Sequence, residues 1–276
     1  MRASSIGTEE IYRFMQPGLS AASGLVIRGG YFYCVGDDDL GLFKLPFHFQ
    51  SFEVRIPLLP GRLPDEPKGR KAAKPDWESL VHLPESDSIL CLPSGSTPDR
   101  HRGVLVDRQD QSIELSFGRT YQALRDQVPE LNIEGAVVIG QRIRLFQRGN
   151  GGAGVNALID LPLESFLSDE VVPFELKRVD LNSITDSVQW GFTDACLDGE
   201  SIWFLAVSEA TRSTYDDGAF SGARLGRMDF SGRILDLHPL DIPFKPEGLA
   251  RVGDAFYVVT DADDRKIPSR MYRLKF

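Results

Sequence analysis

Five segments of this 276-residue chain share one layout: an acidic or small residue, a second small residue, then two alternating apolar runs around a tight turn. They read SGLVIRGGYFYCVGDDD, ESLVHLPESDSILCLPSGS, EGAVVIGQRIRLFQRGN, DACLDGESIWFLAVSEA and EGLARVGDAFYVVTDAD. Their first residues, Ser23, Glu78, Glu134, Asp194 and Glu247, lie 55, 56, 60 and 53 residues apart. A near-constant period of this length marks one supersecondary unit repeated, since such a unit buries its apolar face only against a neighbouring copy. Each of the first four periods holds two further strand-like runs, such as LGLFKLP and SFEVRIPL in the first and RGVLVDR and SIELSF in the second. Four antiparallel strands per unit make a propeller blade.

The expected fold is therefore all-β, a single five-bladed β-propeller over residues 1–276 with four-stranded antiparallel blades. The blades fall at about 23–59, 77–118, 133–181, 193–243 and 247–276. The last is short of a strand, which EIYRFM, within residues 8–16, supplies from the N-terminus. Closure of this kind leaves no exposed sheet edge. A β-solenoid would need shorter rungs, and a two-domain sandwich does not explain equal spacing. In RTYQALRDQVPELN, Tyr121, Leu124 and Val128 recur at helical spacing, so a short helix is expected over about 120–128, between the second and third blades.

Charge and targeting signals narrow the function classes. A net charge of −9 opposes general nucleic-acid binding, which needs a basic field over the binding face. The first twenty residues match neither a secretory signal nor a mitochondrial presequence, and no apolar run has the length of a membrane span. Cys34, Cys91 and Cys196 are scattered in strand-like runs and read as reduced core residues. A cytoplasmic monomer is the expectation.

Loop lengths then separate the two faces of the ring. The turns between first and second strands are tight, as at Arg28-Gly29-Gly30 and Gly140-Gln141. The loops between second and third strands are long and polar: GDDDLG, SGSTPDRHRG, RGNGGAGVN, SEATRSTYDDGAFSGA and TDADDRKIPSR. Long loops on a rigid scaffold are where binding groups concentrate. The candidate ligand-binding residues on this working face are Ser94, Arg100, Arg102, Arg148, Asn150, Glu209, Tyr215, Asp216 and Asp261.

On the same face Ser23, Glu78, Glu134, Asp194 and Glu247 are expected to converge around the central channel. Four carboxylates so placed repel, so either some stay protonated or a cation is held among them. A shell of oxygen donors alone suits calcium better than zinc or copper. The alternative is a water-filled acidic channel, or carboxylates that cap nearby backbone N–H groups. Around this hub, PGRLPDEPKGRKAAKP carries Arg62, Lys68, Arg70, Lys71 and Lys74, and Arg100, Arg102 and Arg148 add to them. Guanidinium forks beside Gly-rich backbone suit a phosphate or carboxylate, although the P-loop spacing GxxxxGK[ST] is absent. GxSxG is absent too, and of the four histidines only His101 lies on a working-face loop, so no histidine triad is expected.

SGSTPDRHRGVL, LNIEGAVVIGQRIRLFQRGN, FTDACL, STYDDG and VTDADD resemble the motif series of an uncharacterised bacterial propeller family, from about residue 74 onward. More distantly, the Ser-Glu-Glu-Asp-Glu ring and the openings SGLVIRGGYFYCV and PEGLARV resemble the calcium-activated apyrases. That resemblance implies five blades, calcium in the channel and hydrolysis of nucleoside di- and triphosphates, with Ser23, Glu78, Glu134 and Glu247 at matching positions. Their phosphate-handling loops do not match, so no catalytic residue carries over. Two functions are carried forward. One is a calcium-dependent hydrolase of a phosphorylated or ester- or lactone-like small anion. The other is a non-catalytic propeller that binds a ligand or a protein around a structural ion.

Overall fold

The computed structural model describes residues 5–15, 18–149, 154–182, 189–209 and 220–276. Its strands form five four-stranded antiparallel sheets arranged as propeller blades, as the period implied. After β1 (Gly7–Arg13), blade 1 runs β2 (Ala22–Arg28), β3 (Tyr31–Gly36), β4 (Gly41–Pro46) and β5 (Val54–Pro57). Helix α1 (Pro67–Ala73) leads into blade 2: β6 (Trp77–Leu83), β7 (Ser88–Pro93), β8 (Arg102–Val106) and β9 (Ser112–Ser116). Helix α2 (Gly118–Arg125) precedes blade 3: β10 (Ile133–Ile139), β11 (Arg142–Gln147), β12 (Ala157–Pro162) and, after α3 (Leu163–Leu167), β13 (Glu175–Arg178). Blade 4 holds β14 (Trp190–Asp198), β15 (Ser201–Glu209), β16 (Phe220–Asp229) and β17 (Ile234–Leu240). Blade 5 holds β18 (Lys245–Val252), β19 (Ala255–Asp261) and β20 (Arg270–Lys275), with β1 as its fourth strand.

The ring closes as the short last unit required. β1 pairs antiparallel with β20, from Gly7 opposite Lys275 to Arg13 opposite Arg270. The same segment is also stitched to blade 4, where Ile6 N–H donates to the Pro239 carbonyl at 2.8 Å and Asp241 N–H donates to the Ile6 carbonyl at 3.0 Å. Ser269, just before β20, accepts from Ala22 N–H at 3.0 Å and so ties blade 5 to blade 1.

Alternating apolar residues of each blade pack against the next, and the interior is a set of clusters between blades. Helix α2 is amphipathic as expected, starting slightly earlier, with Tyr121 and Leu124 buried and the Tyr121 hydroxyl donating to the Pro93 carbonyl at 2.9 Å. Helix α1 differs in kind. It buries none of its own residues, begins on a Glu66 cap that accepts from Lys68 and Gly69 N–H, and is held by ion pairs. Among the described residues no helix is long and apolar enough to cross a membrane.

Candidate functional site

Each innermost strand carries a bulge at the same level, where one residue has no cross-strand partner. The skipped residues are Ser23 in β2, Glu78 in β6, Glu134 in β10, Thr193 in β14 and Glu247 in β18. A bulge adds one residue on one side of the pair and re-aims its side chain out of the pleat. Repeated five times, it surrounds the channel with one polar side chain per blade.

This ring corrects the sequence assignment in blade 4, where Thr193 holds the position expected of Asp194. Asp194 lies one step on, where the other blades have Gly24, Ser79, Gly135 and Gly248. At that level the inner strands of neighbouring blades lie close together: a Cβ on Gly248 would come 2.9 Å from the backbone of Gly24 and Leu25. The Asp194 carboxylate takes the space and accepts from Ala195 and Leu249 N–H, each at 2.7 Å. Its role is thus the capping one weighed for the whole set, and neither Asp194 nor Thr193 lines the cavity, so blade 4 adds no ring residue to it.

The ring divides by chemistry. Ser23 donates to the Trp77 carbonyl and Thr193 to the Pro246 carbonyl at 2.7 Å, in both cases the residue before the next blade's ring glutamate. These two hydroxyl protons are spent locking adjacent blades. The three glutamates face a cavity of about 60 Å³, and one carboxylate oxygen from each lies within 4.8 Å of the others. Both Glu247 oxygens are buried without a hydrogen bond, although the Lys245 ammonium stands 3.0 Å from Oε1, off the hydrogen-bonding direction. Three converging carboxylates, of which Glu247 has no proton to accept, fit a hard cation that takes six to eight oxygens, the remainder from water or Ser23.

Basic side chains penetrate the same cavity. Arg148 reaches Glu209 at 2.7 Å and Glu134 at 3.2 Å, while Lys245 also lies 3.2 Å from Glu209. Asn132 donates to Glu134 at 2.6 Å. Across the channel Lys74 pairs with Asp37 and with Asp76, the latter at 2.8 Å, and Arg100 reaches Asp76 at 2.8 Å. A backbone relay, Asp76 N–H to the Asp37 carbonyl and Ser94 N–H to the Asp76 carbonyl, each at 3.0 Å, fixes this acidic side of the rim.

Burial pushes Glu78 and Glu247 well above the usual carboxylate range, with Glu134 adding to both and Asp76 and Asp37 to Glu78. Glu134 rises as well through burial, with Arg148 and Lys245 pulling the other way. Burial works against the Lys245 ammonium, yet Glu247, Glu209 and Asp261 hold it well above its ordinary value. Asp261 is pushed up to about 7, by burial first and then by Asp37 and Asp263, despite Lys245. Carboxylates whose ionised form is disfavoured by burial and by one another are the setting in which a bound cation restores ionisation.

Of the residues singled out in the sequence, Ser23, Glu78, Glu134, Glu247, Arg100, Arg148 and Asp261 line the cavity. Glu209 lies behind it as the partner of Arg148. Ser94 is buried and bonds Asp76. Arg102 lies elsewhere, exposed and forked onto Glu114 of β9, because it opens β8, the third strand out from the channel and the neighbour of the outermost one. Asn150, Tyr215 and Asp216 lie outside the described residues. Lys71 and Lys74, named above only within the basic segment, also line the cavity. Asp37, Asp76, Asn132 and Lys245 were not identified. Asp76 and Lys245 each stand two residues before a ring glutamate, a spacing that could have signalled them.

The architecture recurs in solved structures of very low identity. Glutaminyl cyclase from Myxococcus xanthus aligns with a TM-score of 0.53 at 10% identity, covering 100% of this chain and 99% of that one. A putative glycoside hydrolase from Parabacteroides distasonis aligns at 0.52 and 10% identity, with 100% and 95% covered. The tail fibre of Staphylococcus aureus phage P68 aligns at 0.51 and 9% identity, covering 98% of this chain and 53% of that one. At such identity these likenesses show the fold alone. A search of curated protein sequences finds no match to the chain. A family model does match, over residues 18–276, and the chain belongs to that group, a family of unknown function (DUF6929).

Proposed function

We propose that the protein binds a hard divalent cation, calcium by preference, at Glu78, Glu134 and Glu247, and holds a small anionic molecule at the mouth of the channel. The observation that carries this reading is the Glu247 carboxylate, buried with neither oxygen hydrogen-bonded and converging with Glu78 and Glu134. Bound there, a divalent cation supplies charge neutralisation and polarisation of a ligand oxygen. Arg148, Lys245, Lys74 and Lys71 provide the electrostatic complement for an anion's remaining charge. Hydrolysis of a phosphorylated, ester-like or lactone-like anion is the activity to assay.

The test is calorimetric titration of EDTA-stripped protein with calcium, repeated with Glu247→Gln. Saturable binding that the substitution weakens at least tenfold supports the site. A stripped protein that takes up no cation removes it.

One observation favours a second reading. The cavity lining sets five cations, Lys71, Lys74, Arg100, Arg148 and Lys245, against six carboxylates, which leaves little net charge for bound-metal chemistry and suits a non-catalytic binding propeller. Calcium that raises the melting temperature while nucleotides, phosphoesters and lactones are not turned over would favour it.

A further inference from the structure

The channel acids form two groups that share one member. Glu78 belongs to the trio with Glu134 and Glu247 and also to a trio with Asp37 and Asp76, and in each trio one carboxylate oxygen from every residue lies within 4.8 Å of the other two. Glu78 itself makes no hydrogen bond or ion pair among the described residues. Two trios of oxygen donors joined by one carboxylate have the outline of a site for two cations.

The two trios differ in how their own cations sit: in the first Arg148 bonds Glu134 and the Lys245 ammonium stands 3.0 Å from Glu247 without a hydrogen bond, whereas the second has an ammonium bonded onto it. The Lys74 ammonium is hydrogen-bonded to Asp37 and lies 2.8 Å from Asp76 Oδ1, with its side chain 14% exposed. Burial disfavours that ammonium, but Asp37, Asp76 and Glu78 together hold it charged. Lys74 comes from outside the blades, as the residue that ends α1. Since α1 buries none of its residues, polar anchors set its place: Arg70 donates to the Asp38 carboxylate and carbonyl, each at 2.6 Å. No buried apolar residue of α1 itself fixes that place. Its effect there is to deliver a compact point charge to three carboxylates.

We propose that Lys74 is a built-in second cation, which keeps a metal ion out of the Asp37–Asp76–Glu78 position so that the channel takes one divalent ion rather than two. The first ion belongs to the reading above. The second position stands on its own geometry, and the difference between wild type and variant isolates it.

The experiment is equilibrium dialysis of the full chain against saturating calcium, counting ions per chain for wild type, Lys74→Met and Lys74→Arg. Lys74→Met should bind one ion more than wild type, and Lys74→Arg, which keeps a cation in place, should match wild type. Equal counts in wild type and Lys74→Met overturn the proposal, as does an extra ion in Lys74→Arg. A wild type that binds none sinks the earlier reading alone, because the gain of one ion in Lys74→Met would still be read. Should Lys74→Met fail to fold, competitive acetylation of the wild type, followed by peptide mass, answers the same question. Lys74 reactivity unchanged by saturating calcium supports the proposal, and a rise of severalfold, meaning that metal displaces the ammonium, overturns it.

Discussion

Arg148 donates to Glu209 at 2.7 Å between side chains only 5% and 3% exposed, and the same guanidinium reaches Glu134 on the ring. Removing one partner of a buried pair leaves an uncompensated charge and costs about 3–5 kcal/mol. Arg148→Met should therefore lower stability by about that amount in urea unfolding of the metal-free protein. Adding Glu209→Met should recover at least half. A single variant as stable as wild type would mean that the neighbouring Lys245 already satisfies both acids.

The pH dependence should be unusual for an acidic protein. Asp261 is pushed up to about 7 in the fold, against about 4 when unfolded. Between those values the native state holds a proton that the unfolded chain has released. Its contribution to stability is thus fully present below about pH 4 and is lost as pH rises through about 7. Glu78 and Glu247 shift in the same direction. Asp261→Asn should gain on wild type across that window, read as the difference in melting temperature between pH 4.5 and 8. A difference that does not change with pH refutes the assignment.

Calcium uptake should release protons, since these same carboxylates must ionise to bind it. Its affinity should rise from pH 6 to 8, and the apparent enthalpy should vary with the ionisation heat of the buffer. An affinity flat across that range would place the ion elsewhere.

Gly248 sits where the inner strands of blades 5 and 1 touch. An added Cβ would meet Val259 Cγ2 at 2.6 Å and the Gly24–Leu25 backbone at 2.9 Å. Backbone cannot move aside as a flexible side chain can, so Gly248→Ala should cost about 1–3 kcal/mol in chemical denaturation. Gly253→Ala, at a turn with φ +56° and open space around it, isolates the backbone term alone.

Deleting residues 1–13 removes all of β1 and the Ile6 bonds to blade 4. It exposes β20 as an unpaired edge, so the loss should be felt by the whole ring, with a lowered melting temperature and concentration-dependent association. A truncated chain that melts like the full one would show that closure contributes nothing.

Much of the fold was legible because a blade is a local object. Its strands are consecutive, its turns are short, and its alternation repeats every fifty-odd residues, so Leu25, Leu80, Ala136 and Leu249 announce equivalent inner strands by position alone. The N-terminal strand was legible by what the fifth unit lacked.

The site was legible only in part. Ser23 and the three ring glutamates follow from the period, but Thr193 did not, because an acidic residue stood next to it and a bulge shifts register by one without changing any apolar pattern. Asp37 carried no motif, and Asp76 and Lys245 carried only their place two residues before a ring glutamate. Lys74, readable as part of a basic segment, gave no sign that its charge would be spent inside the channel.

By itself the sequence determined the number of blades, their order and the way the ring closes, since these depend on strand alternation and spacing along the chain. The tertiary structure alone decided which side chains share the channel and which charges meet there. Lys74 and Asp37 are 37 residues apart, and Arg148 and Glu209 are 61 apart. Coulomb energy depends on distance through space and on burial, and both come into being only when the blades close around one axis.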